Sequence, residues 1–452
     1  MRSYKSRVTV GVLTVAFVAG CSAEPFEGTM LAEPAPSTGA TGPGDTVGPM
    51  PSVPTAAPPP MGSVTSRPPG DPAPTATGPG TVPEPGMQPA DWWDAAWKER
   101  RAVAVTDPGL TAPLADFTVP VRLSAAAPGR AFDYAKAKAD GSDLRFVGAD
   151  GAVLSHEIET WNPAGESLIW VRLPALAKAM GSDAVANLWV YFGNPDAPAV
   201  DAAQAGATWS AAHTGVWHFE GDGEDATQNA HHAENQGATF VEGKFGRGAL
   251  FDETARHHMI VADVDRPKSI VGGADGATLS VWVNPTIPVV QATGSQSDND
   301  DNGNIVFTIG GYKPDQHNSY TGFNISAQGR MITHVDPADK KPYKRLRSEP
   351  GVVPMGAWVW LTYVIDLPKA EVRFFKDGQQ VAAISDGQPF TDVVYNTAPS
   401  VHVVIGTEED YTKHFYDGIM DELRMEKGIR SPEWIAAQHR AMTVEGYVTL
   451  PQ

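Results

Sequence analysis

From Phe415 to Met425 the chain reads as a strand and from Ser431 onward as a short helix, a pairing that constrains the fold more than any other stretch. Strict alternation puts Ile419, Asp421, Leu423 and Met425 on one face and Met420, Glu422 and Arg424 on the other, so a carboxylate stands inside an apolar stripe. A buried carboxylate must be hydrogen-bonded, ion-paired or bound to a metal, which makes Asp421 the sharpest candidate site residue. Ser431 as N-cap, Pro432 at the first helical position and Glu433 in the first turn mark the helix start. Between 91 and 196, six short runs (101–106, 117–123, 144–147, 154–160, 168–173 and 185–192) are separated by turn residues. Phe117, Val119, Val121 and Leu123 alternate with Thr118, Pro120 and Arg122, a half-buried strand in which Pro120 favours an edge or a bulge. No long helical pattern competes there, and the expected product is a β-sandwich.

The closing stretch resembles the end of bacterial laminin-G-like, concanavalin-A-like jelly-roll domains, which finish with a Gly-x-x-Asp-Glu strand and a short helix bearing Ser, Glu and Trp. Three other segments agree in order: Gly243 to Asp252, Thr278 to Pro285 around Trp282, and Trp358 to Asp366 followed by Phe374 to Gly378. Upstream, Trp97, Asp143 to Phe146, Glu157 to Trp161, Ile169 to Val171 and Tyr191 to Asn194 together resemble the bacterial family known as domain of unknown function 2341, often joined to laminin-G-like domains in exported proteins. The resemblance implies an all-β chain of two β-sandwich domains, one over 91–200 and a jelly roll over 205–444. In such a jelly roll the first and last strands lie side by side, which places Phe219 and Glu220 near Asp421. It also implies one structural calcium ion, with Asp421 supplying the carboxylate and Asp252 and Glu220 contributing from early loops. The residues alone leave open the alternative that Asp421 accepts backbone hydrogen bonds.

Arg2, Lys5 and Arg7 precede an apolar run over 8–19 that is too short to span a bilayer, the pattern of a secretion signal. Val18 to Cys21 resembles a lipoprotein signal-peptidase site, which implies a leader over 1–20 and lipidation at Cys21. Cys21 is the only cysteine of 452 residues, so no intramolecular disulfide can form and an exported fold must be held by its cores and by ions. Residues 21–90 contain 18 of the 39 prolines, with Phe26 the sole aromatic and Arg67 the sole cation, and cannot bury enough apolar surface to fold; they are a linker. A formal net charge of −19 argues against nucleic-acid binding and against electrostatic attachment to anionic lipid, leaving the N-terminal lipid as the membrane link. The expected location is the outer membrane or cell surface.

Glu157, Glu159 and Trp161 share one face of a strand, with the carboxylates about 6–7 Å apart along the backbone. These are the parts of a glycosidase site, but Glu-x-Glu on an exposed strand face is common and cross-strand pairing with Arg145 or Arg172 explains it, the third acid of a jelly-roll glucanase is missing, and the pair lies outside the jelly roll. Lys340, Lys341, Lys344, Arg345 and Arg347 surround Tyr343, a cationic cluster that the laminin-G-like resemblance associates with acidic glycans but that a charged hairpin also explains; Tyr312 and Tyr320 are rings for sugar stacking or cover for a sheet edge. Ser297 to Gly303 has acids and Asn at calcium-loop spacing, but Ile309 stands where a bidentate Glu is required, so a solvated turn is expected. The twelve histidines include the pairs His231-His232 and His257-His258, neither of which has the spacing with acids of a transition-metal site, so histidines are expected at the surface. Together these features favour a binding protein for extracellular glycans or glycoproteins over an enzyme. The alternatives are a glycan-active enzyme using Glu157 and Glu159, and an envelope assembly protein with a protein partner.

Overall fold

The computed structural model describes residues 92–176, 184–261, 270, 275–286, 304–313, 316–335, 344–385, 403–408 and 414–451. Cys21, the leader, the Pro-rich linker, Lys340, Lys341, Tyr343 and the 297–303 run lie outside the described residues.

Two antiparallel sandwiches are present. In the first, a sheet ordered Val448–Thr449, Glu99–Thr106, Ala184–Phe192, Arg145–Gly148, Val153–Leu154 faces a three-stranded sheet of Leu114–Ser124, Glu166–Leu176 and His156–Thr160. Phe117, Val119, Val121 and Leu123 are buried as their alternation requires, but Thr118 and Pro120 on the other face are buried too, so the strand is not half-buried as expected: its second face is covered as well. Pro120 lies on an edge strand of the smaller sheet, opposite Trp170, the kind of position in which a residue without an N–H is tolerated.

The second sandwich is a jelly roll. One sheet runs Thr239–Glu242, Arg247–Phe251, Gly418–Glu426, Gly276–Pro285, Val359–Asp366, Glu371–Lys376, Gln379–Val381, with His213–Trp217 also paired to Gly418–Glu426. The facing sheet runs Ala383–Ser385, Lys344–Ser348, Met331–Val335, Gln316–Ile325, Asn304–Lys313, Val403–Ile405, His258–Val261, Glu234–Gln236. Between them lies a core that includes Trp217, Phe251, Phe307, Phe323, Leu361 and Tyr363. First and last strands are neighbours, Trp217 standing opposite Leu423.

The two sandwiches share a hydrophobic core. Trp282, Trp360, Val364 and Phe375, on the outward face of the first jelly-roll sheet, join one cluster with Phe117, Trp170 and Trp434. The helix Pro432–Thr443 begins as its sequence demands, Ser431 accepting from the Trp434 N–H at 3.1 Å, and it carries Trp434 to an edge-on contact with Phe117. Beyond it the chain returns to the first sandwich: Val448 stands opposite Val105 and Thr449 opposite Ala104. This return is locked by fully buried Asp107, which accepts from Arg440 Nε and Nη2 at 2.9 and 2.8 Å and from the Tyr447 hydroxyl at 3.0 Å. A tail that completes the first sandwich has no local sequence signal, because both partners are more than three hundred residues apart.

Candidate functional site

The Gly418–Glu426 strand does not keep strict period two. Trp282 pairs with Asp421 and Ser280 with Arg424, so two residues oppose one, and Glu422 takes the bulge conformation at φ +51°. The phase of the strand therefore changes midway. Met420, Leu423 and Met425 all enter the jelly-roll core, while Asp421 leaves the apolar stripe that alternation assigned to it and turns, with Glu422 and Arg424, toward the first sandwich. The bulge sits at a gap in the sheet. On that side Arg247–Phe251 pairs only as far as Met420, and His213–Trp217 takes over only from Leu423. Side chains fill the space between. Asp421 Oδ2 accepts the N–H groups of Lys244 and Phe245 at 2.7 and 2.8 Å, and His218, just past the end of the His213–Trp217 strand, meets Glu422.

His218 is the centre of a charge cluster built by both sandwiches. Its Nδ1 lies 2.5 Å from Glu422 Oε1 and 3.4 Å from Glu159 Oε2, and its Nε2 lies 2.8 Å from Glu157 Oε1. Arg424 Nη2 holds Glu422 Oε2 at 2.5 Å, and its guanidinium lies over the rings of Trp170 and Trp209 at 4.4 and 4.7 Å. Those indoles also orient the acids, Trp170 Nε1 donating to Glu159 Oε2 at 2.5 Å and Trp209 Nε1 to Glu157 Oε2 at 2.6 Å. A second bulge in His156–Thr160, between Ile158 and Thr160, accompanies the turn of Glu159 into the interface. The expected partners Arg145 and Arg172 are elsewhere, Arg145 on the carbonyls of Ser142, Leu144 and Pro198 and Arg172 on Asp116. The charged partner of Glu157 and Glu159 is thus His218, across the domain boundary, while Trp170 of their own sheet adds a hydrogen bond to Glu159. Trp161 is drawn away from them, its indole donating to the Ala139 carbonyl.

Burial makes this cluster electrostatically demanding. It pushes Glu159 well above the usual carboxylate range, the Glu422 and Asp421 charges adding to the effect, and it pushes Asp421 up likewise, again with Glu422. Burial also pushes Glu422 up, but His218 and Arg424 together pull it down to about 2. For His218, burial favours the neutral ring, yet Glu422, Glu157 and Glu159 hold it well above the ordinary histidine value. A histidine raised in the fold stabilises below its unfolded pKa and loses that contribution as pH rises through the folded value; acids raised in the fold act in the same direction. Above neutral pH, His156 and His213, both depressed to about 4 chiefly by burial, are largely neutral folded and unfolded alike, while Lys244 and Lys427, lowered by burial, act in the opposite sense and are fewer than the groups raised around His218. Stability in EDTA is therefore expected to fall from pH 7 to pH 9, by up to about 1.4 kcal/mol per pH unit for each proton lost. Urea midpoints across that range check it, and His218→Gln should flatten the slope.

The remaining expected site residues fall in several places. Glu220 Oε1 accepts from the Arg247 N–H and the Thr160 hydroxyl, and Asp252 Oδ1 from the N–H groups of Thr254 and Ala255 and the Thr254 hydroxyl. Asp421 and Glu220 brace the same turn, where a Cβ at Gly243 would lie 2.7 Å from Asp421 Oδ2, while Asp252 caps a different turn. Asp421 retains Oδ1 without a hydrogen-bond partner. Backbone register brings Tyr320, Lys344 and Arg345 to one end of a single sheet, since Thr321 stands opposite Val335 and Val335 opposite Lys344. Tyr312 lies near the turn of the adjoining hairpin, opposite His317. The surface assignment fails for four histidines, since His156, His213, His218 and His231 are buried. His218 carried one signal, its place between Trp217 and Phe219 in an apolar run.

Among the described residues, the group of His and acidic side chains whose ligand atoms converge within 4.8 Å is Glu159, His218 and Glu422. Glu157 also lines a cleft of about 790 Å³ between the sandwiches, together with Asp140 from the first and Glu224, Gln228 and His232 from the second.

Facing antiparallel sheets with adjacent first and last strands define a jelly roll joined to a smaller sandwich. Residues 262–436 match the model of the concanavalin A-like lectin/glucanases superfamily, and residues 140–242 match domain of unknown function 2341. The chain thus carries a concanavalin A-like domain preceded by a domain of that uncharacterised family. Comparison with curated proteins gives no match. Among solved structures, domain 4 of AbnA, a GH43 extracellular arabinanase from Geobacillus stearothermophilus, in complex with arabinotriose, is 16% identical at a TM-score of 0.36, covering 50% of this chain and 98% of that one. The binding domain of Paraclostridial Mosquitocidal Protein 1 is 12% identical at 0.38, covering 51% and 52%. The Ruminococcus gnavus IT-sialidase CBM40 bound to α2,3 sialyllactose is 12% identical at 0.28, covering 36% and 83%. Likenesses this distant carry no weight for ligand or site.

Proposed function

We propose that this protein is an exported, lipid-anchored binding protein that recognises extracellular glycans or glycoproteins through its concanavalin A-like domain. The observation that carries the reading is the match of 262–436 to a superfamily of lectins and glucanases. What favours the lectin side is the state of the Glu157 and Glu159 pair. A hydrolytic pair needs both carboxyl groups beside the scissile bond, whereas the Glu159 side chain is 1% exposed and turned into the domain interface. The glycan surface we assign is the sheet end that carries Tyr320, Lys344 and Arg345, with Tyr312, Lys341 and Tyr343 in the adjoining segments. Cys21 and the linker would hold this surface away from the outer membrane or cell surface. Calcium at Asp421 remains part of the proposal, through its unpartnered Oδ1.

The test is binding of residues 77–452, a compact unit, to a broad panel of polysaccharides and glycans in calcium and in EDTA. Binding without turnover is expected, weakened about tenfold or more by Lys344→Ala with Arg345→Ala. Loss of binding in EDTA would assign the calcium a role in it. Silence across the panel would refute the glycan reading and leave a protein partner.

A further inference from the structure

We propose that Glu159, His218 and Glu422 form a site for one divalent transition-metal ion that joins the two sandwiches. The site is separate from the sheet end assigned to glycans and does not depend on that assignment.

The geometry is that of a metal site with its supporting groups already in place. The 3.4 Å between His218 Nδ1 and Glu159 Oε2 is about the separation of two ligands held about 2.1 Å from a tetrahedral centre. The 2.5 Å contact from His218 Nδ1 to Glu422 Oε1 is a hydrogen bond, and it would open by about 1 Å as an ion replaced the bridging proton. On the far side of the ring, Nε2 meets Glu157 Oε1 at 2.8 Å. A histidine that offers one nitrogen to a metal characteristically donates the other N–H to a carboxylate, which fixes the ring and raises its basicity. Each acid is in turn held, Glu159 and Glu157 by the indoles of Trp170 and Trp209 and Glu422 by Arg424.

Two further observations point to a ligand. Glu159 Oε1 is buried and has no hydrogen-bond partner, although buried carboxylate oxygens are ordinarily satisfied. The charges also leave room for a cation. Once the imidazole is the neutral ligand a metal requires, Arg424 is, among the described residues, the cation left in ion-pair contact with the group Glu157, Glu159 and Glu422, so a divalent ion would supply countercharge those contacts lack. One imidazole and two carboxylates at tetrahedral spacing suit zinc better than calcium, which takes six to eight oxygens. Glu157 connects the site to the cleft between the sandwiches, which gives an ion a way in.

The experiment is calorimetric titration of Zn²⁺ into EDTA-stripped protein at pH 7, with Co²⁺ absorption as a second readout. One equivalent per chain is expected, with a rise in Tm and a four-coordinate Co²⁺ visible spectrum in the unmodified protein. His218→Gln should abolish both, and Glu157→Gln should keep the stoichiometry while weakening binding 10- to 100-fold. No saturable binding would overturn the proposal. So would a Co²⁺ spectrum of the six-coordinate type in the unmodified protein, or binding that survives His218→Gln, since either places the ion outside a four-coordinate site on His218. The Co²⁺ spectrum needs no variant and decides the matter even if His218→Gln does not fold.

Discussion

Replacing Glu422 by alanine is expected to lower stability by about 3–5 kcal/mol, because it leaves Arg424 and His218 buried without their shared counter-charge. Glu422 is fully buried and Arg424 is 2% exposed. Glycine at the same position should cost about 1 kcal/mol less than alanine, since it relaxes the φ of +51° that an L side chain adopts only at a cost. Glycine is ordinarily the worse of the two inside a strand, so this reversed order is a signature of the bulge. Urea unfolding at pH 7, followed by tryptophan fluorescence, measures both. A loss below about 1 kcal/mol for Glu422→Ala would mean that the cluster contributes little to holding the sandwiches together.

Asp107→Ala is the second large effect, an expected loss of about 2–4 kcal/mol. The substitution strips Arg440 and the Tyr447 hydroxyl of their common acceptor. Tyr447 is buried, but the Arg440 side chain is 24% exposed, so part of its charge can be rehydrated and the cost stays below that of Glu422→Ala. The loss should appear as earlier unfolding of the whole unit, because the helix and tail that Asp107 holds lie across both sandwiches. Limited proteolysis reports the local part: cleavage near the C-terminus should accelerate in Asp107→Ala while the intact tail of the unmodified protein resists.

Much of the fold was legible because its signals are local. Alternation at Phe117 to Leu123, the proline on an edge strand and the Ser431 cap each follow from the conformations of a few neighbouring residues. The jelly roll followed from motif order along the chain. What eluded sequence reasoning is what depends on two distant segments meeting. Nothing near Glu422 announces a bulge, so period two sent Asp421 into the core face and Glu422 away from attention. Glu157 and Glu159 were visible as a pair, but their partner, His218, lies 61 residues from Glu157 and 204 from Glu422. The tail strand at Val448–Thr449 is two residues long, shorter than any periodicity can register.

Both bulges and both non-glycine residues with positive φ near the cluster, Phe219 at +64° and Glu422 at +51°, serve the same interface. Backbone strain of this kind persists where surrounding contacts over-determine it. Here the surrounding contacts come from two sandwiches at once, which makes their union the central physical claim. Differential scanning calorimetry of residues 77–452 at pH 7 tests it most directly. One transition is expected, with calorimetric and van't Hoff enthalpies equal; two separable transitions would show that the sandwiches fold independently and would contradict the claim.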